Sequence, residues 1–154
     1  REALRTLLDK QNDQREDQDL AEHGADLRLQ QLVGDAEAEG ADALLLAPVS
    51  YTPLTEEEAF RHYVAVASAT GLPLCIYNNP GTTHFTFSPT LLGRLAEVPN
   101  ISAVKMPLPS AVPVASELTA LRAGPAGSLA IGYSGDWGAA EALLAGATPV
   151  DRAP

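Results

Sequence analysis

Pro73-Leu74-Cys75-Ile76-Tyr77-Asn78-Asn79-Pro80-Gly81 is a short, unbroken apolar run that stops on turn-forming residues. Three other runs share its design: Ala43 to Val49 (ALLLAPV), Ile101 to Met106 (ISAVKM) and Ser128 to Tyr133 (SLAIGY). None alternates apolar with polar, so each reads as a strand covered on both faces, the environment of a parallel sheet. Their starts at 43, 73, 101 and 128 lie 30, 28 and 27 residues apart, one βα unit each time.

The intervening segments carry helix signals. Thr55-Glu56-Glu57-Glu58 has the pattern of a capping box with an acidic first turn, and Phe60, Tyr63, Val64 and Val66 follow it. Ser88-Pro89 reads as an N-cap with proline at the first helical position, ahead of Leu91, Leu92 and Leu95. Val114 to Leu121 and Gly138 to Leu144 supply two more helices, and Leu27 to Glu39 leads into Gly40. Gly146-Ala147-Thr148 echoes Gly40-Ala41-Asp42 and marks where a further strand should begin. Uniform βα repeats predict a parallel sheet, closed as a barrel or open and doubly wound. Leu46, Ile76 and Val104 are expected to face the interior of such a barrel.

The 154 residues suffice for one domain with a real core, and 45% apolar with 19% charged residues describes a globular chain. Residues 1–26, with the polar run Lys10 to Asp19, read as a separate polar segment, and 27–154 as the β/α domain. A formal charge of -10 argues against nucleic acid or an anionic membrane as partner. With no membrane-span or leader pattern and a lone Cys75, a cytoplasmic location is expected. His23, His62 and His84 lack ligand spacing, so no metal site is expected, and no cofactor motif is present.

In parallel β/α folds, functional groups gather at the carboxyl ends of the strands. Those ends offer Tyr51, Tyr77, Lys105 and Gly135-Asp136. Eight of the ten basic residues are Arg, so a Lys inside an apolar strand raises a chemical question. Desolvation of such an amine favours its neutral form, which can attack a ketone and make a Schiff base. A strand-end lysine reaching to solvent is the simpler alternative. Tyr77 can relay protons to a neighbouring imine, or merely bond its hydroxyl to a loop. Asp136 can contact a substrate hydroxyl or cap the following helix, and Tyr51 can line the rim or pack on a neighbouring subunit. Cys75 reads as a core residue, and Asn78-Asn79-Pro80-Gly81 as a turn.

Together, Tyr77-Asn78-Asn79-Pro80-Gly81, Ser88-Pro89, Asn100-Ile101 with Val104-Lys105, and Ser134-Gly135-Asp136 resemble the dihydrodipicolinate synthase and N-acetylneuraminate lyase family. The resemblance runs from about Leu27 to Ala147. It implies a (β/α)8 TIM-barrel type of fold and a lyase or aldolase that holds pyruvate or another 2-oxo acid as an imine on Lys105. Tyr77 is then the proton relay, and Tyr51, Thr82, Gly135 and Asp136 are substrate-binding positions. An aldehyde is the second partner, no cofactor is needed, and a complete protein is expected to be a homo-oligomer. Thr82 stands where synthases of the family usually have arginine, His84 replaces a small residue, and Met106-Pro107 follows the lysine where an acidic residue is common. The family's Gly-Thr-Thr-Gly-Glu segment has no counterpart among these residues. A closed barrel needs ~200 residues or more, so four to five of its eight units are expected here. The alternative is a non-catalytic or small-molecule-binding β/α module without the carboxylate-binding loop.

Overall fold

The computed structural model describes residues 28 and 30–149. The expected polar segment 1–26 lies outside the described residues. A helix through 30–38 (α1) precedes strand β1 (Leu44–Leu46). Then follow α2 (Glu56–Ser68), β2 (Leu74–Tyr77), a single turn of helix α3 (Pro80–Thr83), α4 (Pro89–Ala96), β3 (Ile101–Pro107), α5 (Val114–Ala123) and β4 (Ala130–Ser134). A 3-10 turn over Asp136–Gly138 leads into α6 (Ala139–Leu144). The four strands are all parallel and lie in chain order β1-β2-β3-β4. Past α6, the Thr148 N–H donates to the Ile131 carbonyl at 2.8 Å, so the backbone returns to the free edge of β4 where a further strand was expected.

Local chemistry explains where the helices start. The Thr55 hydroxyl accepts from the Glu58 N–H at 3.2 Å, and the Glu58 carboxylate accepts from the Thr55 N–H at 2.7 Å, closing the capping box. Ser88 Oγ accepts from the Leu91 N–H at 3.1 Å, with Pro89 in the first turn where no N–H partner is needed. Asn100 ends the α4–β3 connection at φ 70, a left-handed conformation that asparagine tolerates well. Its amide donates to the Ala67 and Thr70 carbonyls, which tie off the carboxyl end of α2. On the outer surface Arg94 bridges to Glu57 at 2.9 Å and lies over the Phe60 ring, joining α4 to α2.

Register settles which face each strand residue occupies. Ile76 pairs with Leu46 and Val104, and Val104 with Ile131. This row packs under the helices in one core with Tyr63, Leu91, Leu92, Leu95 and Leu118. Ile76 is 0% exposed and Val104 1%. The expectation that Leu46, Ile76 and Val104 face a barrel interior is therefore corrected. Side chains alternate along a strand, and the larger set is the one that meets the helices. The Tyr63 hydroxyl donates to the Leu46 carbonyl at 2.6 Å, pinning α2 to β1. Burial pushes the Tyr63 phenol well above its ordinary range.

The other face carries Leu45, Cys75, Tyr77, Ala103, Lys105, Ala130 and Gly132 in matching register. It is built mostly from small side chains, and Leu45 at its edge is half exposed. This face carries the candidate site.

Candidate active site

Tyr77 ends β2 and pairs in register with Lys105 of β3, so both side chains leave the sheet on the same face. The Lys105 Nζ stands 5.0 Å from the centroid of the Tyr77 ring, within reach of a cation–π contact. Both residues are half-buried. The β2–β3 ladder continues past Tyr77, because the Asn78 N–H donates to the Lys105 carbonyl at 3.0 Å. That bond fixes the backbone beneath the pair. On the far side of Lys105 the paired residue is Gly132, which has no side chain to crowd the amine. Lys105 lines a small open depression together with Cys75, Ala103, Ala130, Gly132 and Thr148.

The loop after β2 reaches back to Tyr77. Asn79 Nδ2 donates to the Tyr77 hydroxyl oxygen at 2.9 Å. The Asn79 carbonyl accepts from the N–H groups of Thr82 and Thr83 and from the Thr83 hydroxyl, building α3. Of the stretch read as a turn, Asn78 and Asn79 lie outside any helix, and Pro80 and Gly81 open a single helical turn that runs to Thr83, with His84 left-handed at its end, φ 54. Asn78 points the other way. It is buried, its amide lies 3.4 Å from the Met106 sulfur, and its Oδ1 has no partner among the described residues.

The remaining expected site residues sit further out. Thr82 is exposed on α3. Tyr51 is fully exposed in the loop after β1 and makes no hydrogen bond among the described residues. Gly135 sits at φ 114, and a Cβ there would meet Leu108 Cδ1 at 2.8 Å. That position calls for glycine on backbone grounds. Asp136 is exposed in the 3-10 turn, and its side chain caps neither that turn nor α6. The fold thus brings Tyr77 and Lys105 together, and among the described residues no hydrogen bond, ion pair or ring contact joins the side chains of Tyr51, Thr82 or Asp136 to them.

Asn79, in the loop after β2, is a site residue that its turn-forming neighbours conceal in the sequence. Cys75 is buried, as its reading as a core residue expects, and it also lies beside the site. Cys75 lies two residues before Tyr77, as Ala103 does before Lys105, and that spacing places it on the site's face. Burial pushes its thiol up to about 11, against a smaller lowering from the Lys105 backbone and charge. Among the described residues no cluster of His, Cys, Asp and Glu can hold a metal ion, and no helix is long and apolar enough to cross a membrane.

Sequential parallel βα units define a protein of the (β/α)8-barrel type, of which the described residues form a four-stranded arc. Residues 28–150 match the model of the dihydrodipicolinate synthetase family, and the chain belongs to that family. The 4-hydroxy-tetrahydrodipicolinate synthase of Methylococcus capsulatus is 46% identical over 74 residues, which are 48% of this chain and 25% of that protein. The crystal structure of a dihydrodipicolinate synthase from Agrobacterium tumefaciens superposes with a TM-score of 0.73 and 64% identity, covering 77% of this chain and 40% of that one. The enzyme from Acinetobacter baumannii, crystallised with pyruvate, gives 0.63 and 38%, covering 77% and 39%. The chain therefore spans about a quarter of the length of that curated relative and about two fifths of the solved ones.

Proposed function

We propose that Lys105 is an imine-forming lysine for pyruvate or another 2-oxo acid, with Tyr77 as its proton relay, in an enzyme that makes or cleaves a carbon–carbon bond to an aldehyde. The observation that carries this reading is the Tyr77–Lys105 pair, in register on one face with the amine 5.0 Å from the ring centroid. Family membership supports it, as does the pyruvate held by the Acinetobacter baumannii relative.

The chemistry follows from the groups present. The neutral amine attacks the ketone carbon, one proton passes from nitrogen to the former carbonyl oxygen to give a carbinolamine, and a second proton must reach that oxygen before it can leave. Loss of that oxygen as water leaves a C=N bond, which withdraws electrons from the neighbouring carbon. A phenol beside the amine can carry each of these protons in turn. The imine then loses a methyl proton to give an enamine, the carbon nucleophile that adds to an aldehyde. Cleavage is the reverse.

Thr82 and His84 occupy the rim where synthases of the family usually place an arginine and a small residue. Neither supplies the fixed bidentate cation that a carboxylated acceptor such as aspartate semialdehyde would use. An uncharged aldehyde is the better-suited acceptor. Gly135, Asp136 and Tyr51 are proposed to line its approach.

Hydrogen exchange of pyruvate tests the reading. In heavy water the chain should replace the methyl protons of pyruvate with deuterium, visible by proton NMR, through the imine and enamine. Lys105→Arg should stop it, because an always-protonated guanidinium cannot add to the ketone. Exchange that survives in the arginine variant would remove Lys105 from the mechanism.

A further inference from the structure

Asn79 holds the N-cap of α3, a position where an asparagine side chain ordinarily accepts from an N–H of the first turn. Here it makes no such capping bond. Its backbone carbonyl is occupied by three donors from Thr82 and Thr83. Its side-chain amide is aimed instead at the Tyr77 hydroxyl oxygen, 2.9 Å away. The Tyr77 hydroxyl has no other hydrogen-bond partner among the described residues. A cap residue that forgoes its cap to reach a tyrosine beside a strand-end lysine is placed for that tyrosine.

We propose that Asn79 is a positioning residue for Tyr77. Its amide N–H occupies one lone pair of the phenol oxygen and fixes how the hydroxyl stands over the Lys105 side of the sheet. With a donor on that flank, the hydroxyl's own proton must point away from Asn79, where it is free to reach a group forming on the amine. The inference rests on the reading of Lys105 as the imine-forming residue, and it adds the part that orients the relay. A valine at position 79 leaves the phenol free to rotate. An aspartate keeps the shape but can only accept, which turns the Tyr77 proton toward itself.

The test uses the full chain with pyruvate and a mild hydride donor, following the rate at which reduced adduct appears on Lys105. Asn79→Val and Asn79→Asp should each lower the maximal trapping rate on the order of tenfold. The pyruvate concentration for half-maximal trapping should stay within about twofold, because Asn79 orients a proton and does not bind the keto acid. In a Tyr77→Phe background the same substitutions should have no further effect, since there is no hydroxyl left to orient. Equal losses in both backgrounds would mean that Asn79 serves the local fold alone, and would overturn the inference. A wild-type chain that traps nothing on Lys105 would instead sink the proposed function. In that case the Tyr77 Cζ resonance of a 13C-tyrosine sample decides the hydrogen bond by itself. A shift on Asn79→Val supports the assignment of Asn79 to Tyr77, and an unmoved resonance refutes it.

Discussion

Replacing Ile76 by alanine tests the assignment of sheet faces most severely. Ile76 is 0% exposed and packs beneath the helices with Leu46, Val104 and Ile131. Truncation removes three carbons, worth about 2.4 kcal/mol at ~0.8 kcal/mol each before any cavity is counted. Incomplete collapse around the gap raises the expected loss to roughly 2–5 kcal/mol. Leu45, one register row away on the opposite face, is 52% exposed. Leu45→Ala should therefore cost less than about 1 kcal/mol. Urea unfolding of both variants, followed by circular dichroism, gives the comparison directly. With slopes of about 1–3 kcal/mol per molar, the Ile76→Ala midpoint should fall by on the order of 1–3 M, and that of Leu45→Ala should scarcely move. Equal small shifts would put Ile76 on the open face and overturn the layering described above.

Gly93 of α4 lies against Pro125, and an added Cβ would come to 2.4 Å of the proline Cβ. Gly93→Ala should destabilise by about 1–3 kcal/mol in the same urea assay despite alanine's better helix propensity. The Glu37 carboxyl is held below its ordinary range by the Thr70 hydroxyl, with the Gly71 N–H adding to it. Its stabilising contribution is present above the unfolded-state value and is lost as pH falls through the lower folded-state one. Glu37→Gln should therefore reduce stability at neutral pH and flatten the acid limb of the stability profile, read from urea midpoints across pH. The Cys75 thiol, pushed up to about 11 by burial, should react slowly with thiol reagents in the folded chain. Labelling at neutral pH should accelerate sharply once urea unfolds it.

The strands and most helices were legible because their signals are local: unbroken apolar runs, a Thr-x-x-Glu box, a Ser-Pro start. The faces were not legible from hydrophobicity, because Leu74-Cys75-Ile76 is apolar at every position and carries no period of two. Side-chain size holds the missing signal. Leu74, Ile76, Val104 and Ile131 are large and meet the helices, whereas Cys75, Ala103, Ala130 and Gly132 are small and line the other face. Tyr77 and Lys105 could be picked out singly from their strand ends, but their partnership depends on register, and register includes a bulge at Leu74/Cys75 that sequence does not announce. Asn79 was hidden for a related reason. Asn-Pro-Gly is turn chemistry wherever it occurs, and only the folded backbone reveals that the asparagine's amide is spent on a tyrosine two residues back.

Borohydride trapping with pyruvate, followed by peptide mass mapping, tests the central claim most directly. Only an imine is reduced to a stable secondary amine, so the adduct marks the lysine that formed it. The chain has two lysines, Lys10 and Lys105. The mechanism predicts a reduced pyruvyl group on the Lys105 peptide, absent without pyruvate and absent from Lys105→Arg. Adduct confined to Lys10, or no adduct on either lysine, would contradict it.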